Sequence, residues 1–196
     1  DSRGRRSAQT AMHHILEALV RWLAPVLSFT AEELWQHMPG GRTGSIFAER
    51  WYSIPEVALD QGRDMAFWDE VMTVREAVKK QLEKLRVAGG IGSSLDAEVE
   101  LYCAPALLDR LQRLGGELHF LLITSAARLH PLAERRAEAV DSEIDGLAVA
   151  VAPSAHAKCV RCWHHREDVG RDKAHPPLCG RCADNVAHGG ERRLIA

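Results

Sequence analysis

The chain has 196 residues, 46% of them hydrophobic, and its 25 basic and 27 acidic residues leave a formal charge of −2. This length accommodates one or two domains, and the composition excludes intrinsic disorder. The near-zero charge excludes nucleic-acid binding by bulk electrostatics, so such a partner must meet a local basic patch. No apolar run approaches the eighteen or more residues that a membrane span needs.

The chain begins with Asp1-Ser-Arg-Gly-Arg-Arg, without an initiating Met or the apolar core of a signal peptide. It is therefore expected to be a piece of a longer chain. Apolar residues at helical spacing from Ala8 to Leu27 predict an amphipathic helix with a break near Pro25. Thr30 and Glu33 form a capping-box pattern, which predicts that a second helix begins there. A face shared between the two helices is expected to bury all their apolar residues.

Residues 41–63 are rich in Gly, Ser and Pro and predict a long loop anchored by its aromatic residues, which are Phe47, Trp51 and Tyr52. Asp64 is a predicted N-cap for the longest helix, which ends at Gly89-Gly90. The helical spacing predicts a buried stripe of apolar residues on this helix, namely Trp68, Val71, Met72, Val78, Leu82 and Leu85.

After these glycines the pattern changes to a small mixed α/β unit. Apolar and polar residues alternate from Ala97 to Cys103, which predicts a strand with Cys103 as a small buried thiol at its end. Two short helical segments are predicted next, at residues 106–114 and 117–123. Two further strands are predicted at residues 125–132 and 147–152, joined by a polar loop at residues 133–146. Two or three strands with few crossovers exclude a doubly wound sheet, so the predicted fold class is α+β.

Two Cys-x-x-Cys turns dominate the last forty residues, Cys159 with Cys162 and Cys179 with Cys182. Sixteen residues separate the turns, a spacing typical of four-cysteine zinc sites. Four thiolates leave no open position for water, so this metal is structural. Three alternatives are an iron centre, two disulfides, and replacement of one thiol by His164, His165 or His175. Turns and a short hairpin are the expected secondary structure.

Several stretches together resemble the C-terminal part of bacterial isoleucyl-tRNA synthetases. They are Arg6-Ser-Ala-Gln-Thr10, Ala18-Leu-Val-Arg-Trp-Leu-Ala-Pro-Val-Leu-Ser-Phe-Thr-Ala-Glu-Glu-Leu-Trp35, Ile91-Gly-Ser-Ser-Leu-Asp-Ala-Glu-Val99, Lys158-Cys-Val-Arg-Cys-Trp-His164, Glu167-Asp-Val-Gly170 and Leu178-Cys-Gly-Arg-Cys182. The Ser-Phe-Thr-Ala-Glu-Glu-Leu-Trp phrase is shared by several class I synthetases for aliphatic amino acids. The zinc turns followed by Trp-His narrow the resemblance to the isoleucine enzymes.

The resemblance implies three domains: residues 1–90 from a helical anticodon-binding domain, residues 91–154 as an α/β junction unit, and residues 155–196 as the zinc module. It implies isoleucine tRNA, through its anticodon stem-loop, and the rest of the synthetase chain as partners of a monomeric protein. The reduced cysteines and the predicted zinc site favour the cytosol. The parent enzyme would join isoleucine to this tRNA with ATP. The adenylate-forming signatures His-Ile-Gly-His and Lys-Met-Ser-Lys-Ser are missing, so this piece is expected to bind RNA weakly and to have no catalytic residues.

The expected RNA contacts lie on and beside the two cysteine turns. Trp163 follows Cys162 directly, and an unpaired base stacked on its ring contributes roughly 1–3 kcal/mol. Further contacts to phosphates or base edges are expected from a set of basic residues, namely Lys158, Arg161, His164, Arg166 and Arg181. Trp163 has a second interpretation as a cover for the zinc site. The arginines also have a second interpretation, as counter-charges to a zinc–tetrathiolate centre, whose net charge is about −2.

Two other functions remain open at this point. A similar zinc module closes the formamidopyrimidine-type DNA glycosylases, although the upstream sequence does not resemble theirs. Alternatively, the zinc module is a purely structural brace that packs on the α/β unit and contacts no nucleic acid.

Overall fold

A computed structural model describes residues 3–57, 62–191 and 193 of the chain. The chain forms two compact units, Asp1–Ala58 and Leu59–Ala196. The first is helical, and the second contains a four-stranded sheet, further helices and the four-cysteine segment. The predicted fold class is therefore confirmed: α+β, with a helical segment, a small mixed α/β unit and a C-terminal four-cysteine module.

The first unit contains helices α1 (Arg3–Leu23) and α2 (Ser28–His37), separated by the expected break at Pro25. The predicted capping box is wrong, because α2 begins two residues before Thr30. Its N-cap is Leu27, which makes no side-chain cap. The backbone starts the helix instead, since the Ala31 amide donates to the Leu27 carbonyl oxygen at 2.8 Å.

A small core lies between α1 and α2, formed by Val20, Ala24, Ala31, Trp35, Met38 and Ile46. Beside it, Glu17 is buried and accepts hydrogen bonds from Arg21, at 2.6 Å, and from Arg42. The Trp35 ring contacts both guanidinium groups, whose carbons lie 4.8 and 4.4 Å from its centroid. The two cations thus share one buried carboxylate and pack against one aromatic ring, and Arg21 also lies 3.7 Å from the Glu49 carboxylate.

The expectation that this helical pair buries all its apolar residues is wrong. One face of α1 and of the turn after it is exposed, with fractions from 43% to 79%; it consists of Met12, Ile15, Leu19 and Trp22 on the helix and Val26 in the turn. These residues repeat at intervals of three and four, the spacing of a helix–helix seam. Periodicity showed that they share a face, but it could not show that α2 packs against a different one. We call these five residues the α1 seam.

The loop after α2 is only partly anchored by its aromatic residues. Phe47 and Trp51 are more than half exposed, contrary to prediction. Tyr52 alone is held, by a hydrogen bond of 2.6 Å between its hydroxyl and the His14 ring. Ile46 supplies the buried contact that the aromatic residues were expected to make. Residues 58–61 of this predicted loop lie outside the described residues.

Helix α3 (Met65–Val87) begins as predicted, with the Asp64 carboxylate accepting the Phe67 amide at 2.9 Å. Val71, Val78 and Leu82 of the expected stripe are buried, whereas Met72 is 46% exposed. The buried face also contains Phe67, Val74 and Ala77, which the prediction left out. This face packs into the same core as the sheet. The division of the chain into domains at residues 90 and 154 stays a prediction.

The sheet has four strands in the order β2-β1-β4-β3, namely β1 (Ala97–Cys103), β2 (Ala126–Pro131), β3 (Val140–Asp141) and β4 (Leu147–Pro153). Helices α4 (Pro105–Gln112) and α5 (Leu118–Leu122) form the crossover that makes β2 parallel to β1. Strand β4 pairs antiparallel with β1, placing Leu101 opposite Val149. The prediction missed β3, because two residues are too few for an alternating pattern.

The two faces of β1 have different surroundings. Val99, Leu101 and Cys103 point into the core shared with α3, α4 and α5. Burial raises the pKa of the Cys103 thiol to about 11, which makes it the inert buried thiol that was expected. On the opposite face, Tyr102 packs with Ala139 and Ala148.

The final segment contains the expected short hairpin contact, an antiparallel bridge between Lys158 and His165. It also contains helix α6 (Gly180–Ala187), which was not predicted. The α6 residues that are buried are only Cys182 and Ala183, so its apolar face is too small to produce a periodic signal. Among the helices of the described residues, none has the length and apolar character needed to cross a membrane.

Candidate metal centre and nucleic-acid surface

The four predicted cysteines converge on one point. The sulfur atoms of Cys159, Cys162, Cys179 and Cys182 all lie within 4.8 Å of one another. Sulfurs placed about 2.3 Å from a tetrahedral zinc ion are about 3.8 Å apart. The Cys162 and Cys179 sulfurs are separated by 3.7 Å, which matches the separation expected around zinc. It is far longer than a disulfide bond of about 2.05 Å. Donor type and spacing therefore suit a tetrahedral metal such as zinc.

Backbone hydrogen bonds fold each cysteine turn around this point. In the first turn, the Trp163 amide donates to the Cys159 carbonyl oxygen at 2.9 Å, and the Cys159 amide donates to the His164 carbonyl oxygen at 2.9 Å. In the second, the Cys179 amide points at the Cys159 sulfur, 3.3 Å away. Asp168 accepts the Gly180 amide at 3.1 Å and so caps the start of α6.

The surroundings of the sulfurs favour negative charge at one of them. Burial opposes ionisation of Cys159, but backbone amides, including those of Cys162 and Cys179, outweigh it and lower the Cys159 pKa to about 6. Burial raises the pKa of Cys179 to about 12. Arg161 lies nearby and donates to the Cys182 sulfur at 3.6 Å. A divalent cation at the centre would replace the remaining thiol protons.

Trp163 has an unusual backbone and an exposed ring. Its φ is 65°, in the left-handed region that residues with a Cβ rarely occupy, and its side chain is 61% exposed. The cluster around the cysteines contains Val169 and Leu178 but not Trp163. An exposed ring cannot form a core over the cysteines, which counts against its interpretation as a cover.

The other predicted RNA-contact residues differ in how free they are. Lys158 and Arg161 are exposed, and Lys158 lies 3.5 Å from Asp96. Arg166 is half-buried, 3.8 Å from Asp168.

The other two predicted residues pack towards α5. His164 donates through Nδ1 to the Cys162 carbonyl oxygen at 3.1 Å. Arg181 pairs with Glu191 at 3.0 Å and lies 5.0 Å from the Phe120 ring centroid. Both are therefore engaged within the protein.

Sequence reasoning missed the residues that join the cysteine module to the α/β unit. His119 and Phe120 on α5 make edge contacts with the His164 ring at 5.7 and 5.8 Å. Burial, with the nearby charges of His164 and Arg166, lowers the pKa of His119 to about 4, so this ring is neutral at physiological pH. Ser125 and Asp96 contact His165. No local pattern marks these residues, because each acts across the fold.

Comparison with known proteins defines the class. Residues 1–101 match the family described as the anticodon-binding domain of tRNA ligase. Residues 158–185 match the zinc finger found in FPG and IleRS. The first match covers more than half of the chain, and the chain therefore belongs to the family of tRNA-ligase anticodon-binding domains. The zinc-finger match and the cysteine geometry together indicate a structural zinc.

Among individual proteins, the chain is similar over its whole length to isoleucine–tRNA ligases. It is 56% identical to that of Nitrosococcus oceani, 57% to that of Methylococcus capsulatus and 54% to that of Azotobacter vinelandii. It spans about a fifth of the length of these curated relatives, 21% in each case. The resemblance to the isoleucine enzymes is thus confirmed. The DNA-glycosylase alternative is not favoured, because only the zinc finger is common to both groups.

Proposed function

We propose that this chain is the anticodon-side, tRNA-binding region of an isoleucine–tRNA ligase. The longer enzyme would be a cytoplasmic monomer that joins isoleucine to its tRNA with ATP, using domains that these 196 residues do not contain. The support is similarity along the whole chain to ligases of that name and membership in the anticodon-binding family. The RNA ligand would be the anticodon stem-loop of isoleucine tRNA.

The α1 seam supports the further proposal that the rest of the longer polypeptide is a partner of this chain. Burying an Ile or Leu side chain stabilises a protein by roughly 1.5–3 kcal/mol, so the five exposed apolar residues, four of them on one helix face, represent a large uncovered surface. None of the other helices in residues 3–57 and 62–191 exposes a comparable apolar stripe. A helix of the longer ligase is the occupant that fits this seam.

The zinc would be held by Cys159, Cys162, Cys179 and Cys182. Four protein ligands leave no position for a water or a substrate, so its contribution is to folding and not to chemistry. This cysteine-rich segment has little aliphatic core of its own, apart from Val169 and Leu178 packed against the sulfurs. Binding of zinc by such small modules releases on the order of 10–16 kcal/mol, which is in effect their folding free energy.

The observation that carries the RNA-binding proposal is the strained, exposed Trp163. A left-handed backbone costs a residue with a Cβ roughly 1–2 kcal/mol, and the exposed ring recovers little of this by burial. Glycine would avoid the steric cost at this position. Such a conformation at an exposed aromatic residue is typical of binding sites, where the ligand makes use of the side chain. A flat ring held beside a metal-fixed turn suits stacking on an unpaired base.

The basic residues then divide into two groups. Lys158 and Arg161 are exposed and near Trp163 in sequence, so they are the proposed phosphate contacts. Arg166 would extend this patch. His164 and Arg181 would act mainly from within, by packing the first cysteine turn against α5. Arg161 has a second role as counter-charge, because it also donates to the Cys182 sulfur.

The test measures the affinity of two variants, Trp163→Ala and its control Val160→Ala, for an RNA hairpin that contains the isoleucine anticodon stem-loop. Val160 lies on the same turn and is equally exposed, at 61%, but has no aromatic face. Loss of one stacked base predicts binding weaker by about tenfold for Trp163→Ala. Val160→Ala should bind like the unchanged protein, and Trp163→Phe should retain most of the affinity. Zinc removal by a chelator should abolish binding.

Two outcomes would overturn the proposal. If Trp163→Ala binds the hairpin as tightly as the unchanged protein and only melts at a lower temperature, the module is a structural brace. If a damaged DNA duplex competes better than the hairpin, the ligand is DNA and the repair-enzyme alternative returns.

A further inference from the structure

We propose that Ser125 and Asp96 are positioning residues for Trp163, which they orient through His165. This inference rests on the proposed function, because it states how the α/β unit aims the base-stacking ring. Neither residue lies in the cysteine module, and neither touches Trp163 in the contacts described above. Ser125 would therefore act on RNA only indirectly, whereas Asp96 also contacts Lys158, one of the proposed phosphate contacts.

Ser125 is a fully buried hydroxyl with two partners on different parts of the fold. Its Oγ accepts the backbone N–H of His165 at 2.6 Å and donates to the carbonyl oxygen of Leu95. Its own amide donates to the Ala97 carbonyl oxygen at 2.9 Å, which fixes it at the start of the sheet. One side chain therefore ties the cysteine module to the residues that lead into β1.

Asp96 holds the same residue by its side chain. One carboxylate oxygen lies 3.3 Å from His165 Nε2 and 3.5 Å from Lys158 Nζ. The other accepts the amides of Ser93 and Gly92, at 2.8 and 3.2 Å. The carboxylate is thus anchored by backbone on one side and contacts both ends of the Lys158–His165 bridge on the other.

Ser125 and Asp96 thus hold His165 from two sides, and we call these three residues the Ser125–Asp96–His165 clamp. One further contact fixes the His165 ring. Its Nδ1 donates to the His156 carbonyl oxygen at 2.7 Å, while Nε2 faces the Asp96 carboxylate. The backbone amide, meanwhile, is bound to Ser125. Main chain and ring are therefore both fixed, on three sides, to groups outside the cysteine turn.

From His165 the constraint passes to Trp163 over two residues of hydrogen-bonded backbone. His165 pairs with Lys158, the Cys159 amide donates to the His164 carbonyl oxygen, and the Trp163 amide donates back to Cys159. Zinc would fix the shape of this turn but not its direction relative to the sheet. The Ser125–Asp96–His165 clamp supplies that direction, together with the packing of His164 against α5.

The experiment is a double-mutant cycle between Ser125→Ala and Trp163→Ala, measured as affinity for the anticodon hairpin with the full 196-residue chain. Thr124→Val is the matched control, since Thr124 is equally buried but its hydroxyl donates to the Ala126 carbonyl oxygen, at 3.1 Å, and not to the cysteine module. Asp96→Asn is a second, nearly isosteric variant that tests the other arm of the clamp. Zinc content and the visible spectrum of the cobalt-substituted protein establish that each variant keeps its cysteine site.

Ser125→Ala should weaken RNA binding by about fivefold, the effect of one net hydrogen bond, and Asp96→Asn should act in the same direction. In the Trp163→Ala background, Ser125→Ala should change RNA affinity by less than about twofold, because its effect passes through Trp163. Amide hydrogen exchange at His165 should accelerate in Ser125→Ala and stay unchanged in Thr124→Val.

Three different failures are distinguishable. If Trp163→Ala weakens RNA binding but Ser125→Ala and Asp96→Asn do not, the positioning role is refuted and the proposed function stands. If Ser125→Ala weakens binding equally with and without Trp163, its role is general stability and the inference also fails. If Trp163→Ala itself has no effect, both the proposed function and this inference are overturned.

Discussion

Replacing Trp163 by glycine should strengthen zinc binding relative to alanine while leaving RNA binding equally impaired. Alanine and glycine both remove the indole ring and its partial burial. They differ in the Cβ, which at a φ of 65° meets the steric cost of the left-handed region. Comparing these two variants therefore isolates the backbone strain from the contacts of the ring.

The magnitude follows from two opposing effects. The left-handed conformation costs a residue with a Cβ roughly 1–2 kcal/mol. Glycine loses more backbone entropy on folding, roughly 0.5–1 kcal/mol. The net advantage of Trp163→Gly over Trp163→Ala is then about 1 kcal/mol. Because zinc binding and folding of the module are one equilibrium, this difference corresponds to about fivefold tighter zinc binding.

The assay is competition for zinc against a chromophoric chelator at fixed pH, with the RNA hairpin added in a parallel titration. Equal zinc affinity of the two variants would refute the claim that this turn is strained. Recovery of RNA binding by the glycine variant would refute the claim that the ring is what binds the base.

Two further predictions concern the helical unit. Glu17→Gln should destabilise this unit by about 3 kcal/mol in urea unfolding, because Arg42 loses its carboxylate and Arg21 keeps only the more distant Glu49, at 3.7 Å. Burial opposes the charge on Glu17, but the hydrogen bonds and charges of Arg21 and Arg42 outweigh it and hold its pKa below 4.5. The Glu17 carboxylate therefore stabilises the unit above about pH 4.5, and this stabilisation is lost as the pH falls through the folded-state pKa. The unfolding of Glu17→Gln should lack this acid dependence. Ile15→Lys should change the stability of the 196-residue chain by less than about 0.5 kcal/mol, yet destabilise the full-length ligase by about 2 kcal/mol. Equal effects on both would mean that nothing covers the α1 seam.

The sequence was sufficient for β1, β2 and β4 and for the start of α3, because their signals are local. Alternation from residue 97 to 103 gives β1 with its bounds correct, and Asp64 marks the start of α3. The start of α2 was misplaced, because a backbone hydrogen bond from Ala31 competes with the side-chain cap expected at Thr30. Helix α6 was missed because its buried side consists of metal-binding cysteine and alanine and not of periodic aliphatic residues.

Only those parts of the candidate site that follow from the spacing of residues along the chain could be predicted. The convergence of four cysteines follows from two Cys-x-x-Cys turns. The left-handed backbone of Trp163 could not be predicted, because nothing in the sequence around this residue indicates its φ angle. Nor could the sequence reveal that Ser125, forty residues before His165, accepts its amide. Such a contact depends on the parallel pairing of β1 with β2, which is settled by the whole fold.

The sheet order also constrains how the chain folds as it is synthesised. Strand β4 is the neighbour of β1, although more than forty residues separate them, and it pairs along all seven residues of β1. The centre of the sheet therefore cannot close until residue 153 has left the ribosome. The cysteine turns emerge directly afterwards, and their anchors at Ser125 and Asp96 belong to the frame that β4 completes. The last strand of the sheet on which this segment docks is therefore synthesised before any of the four cysteines.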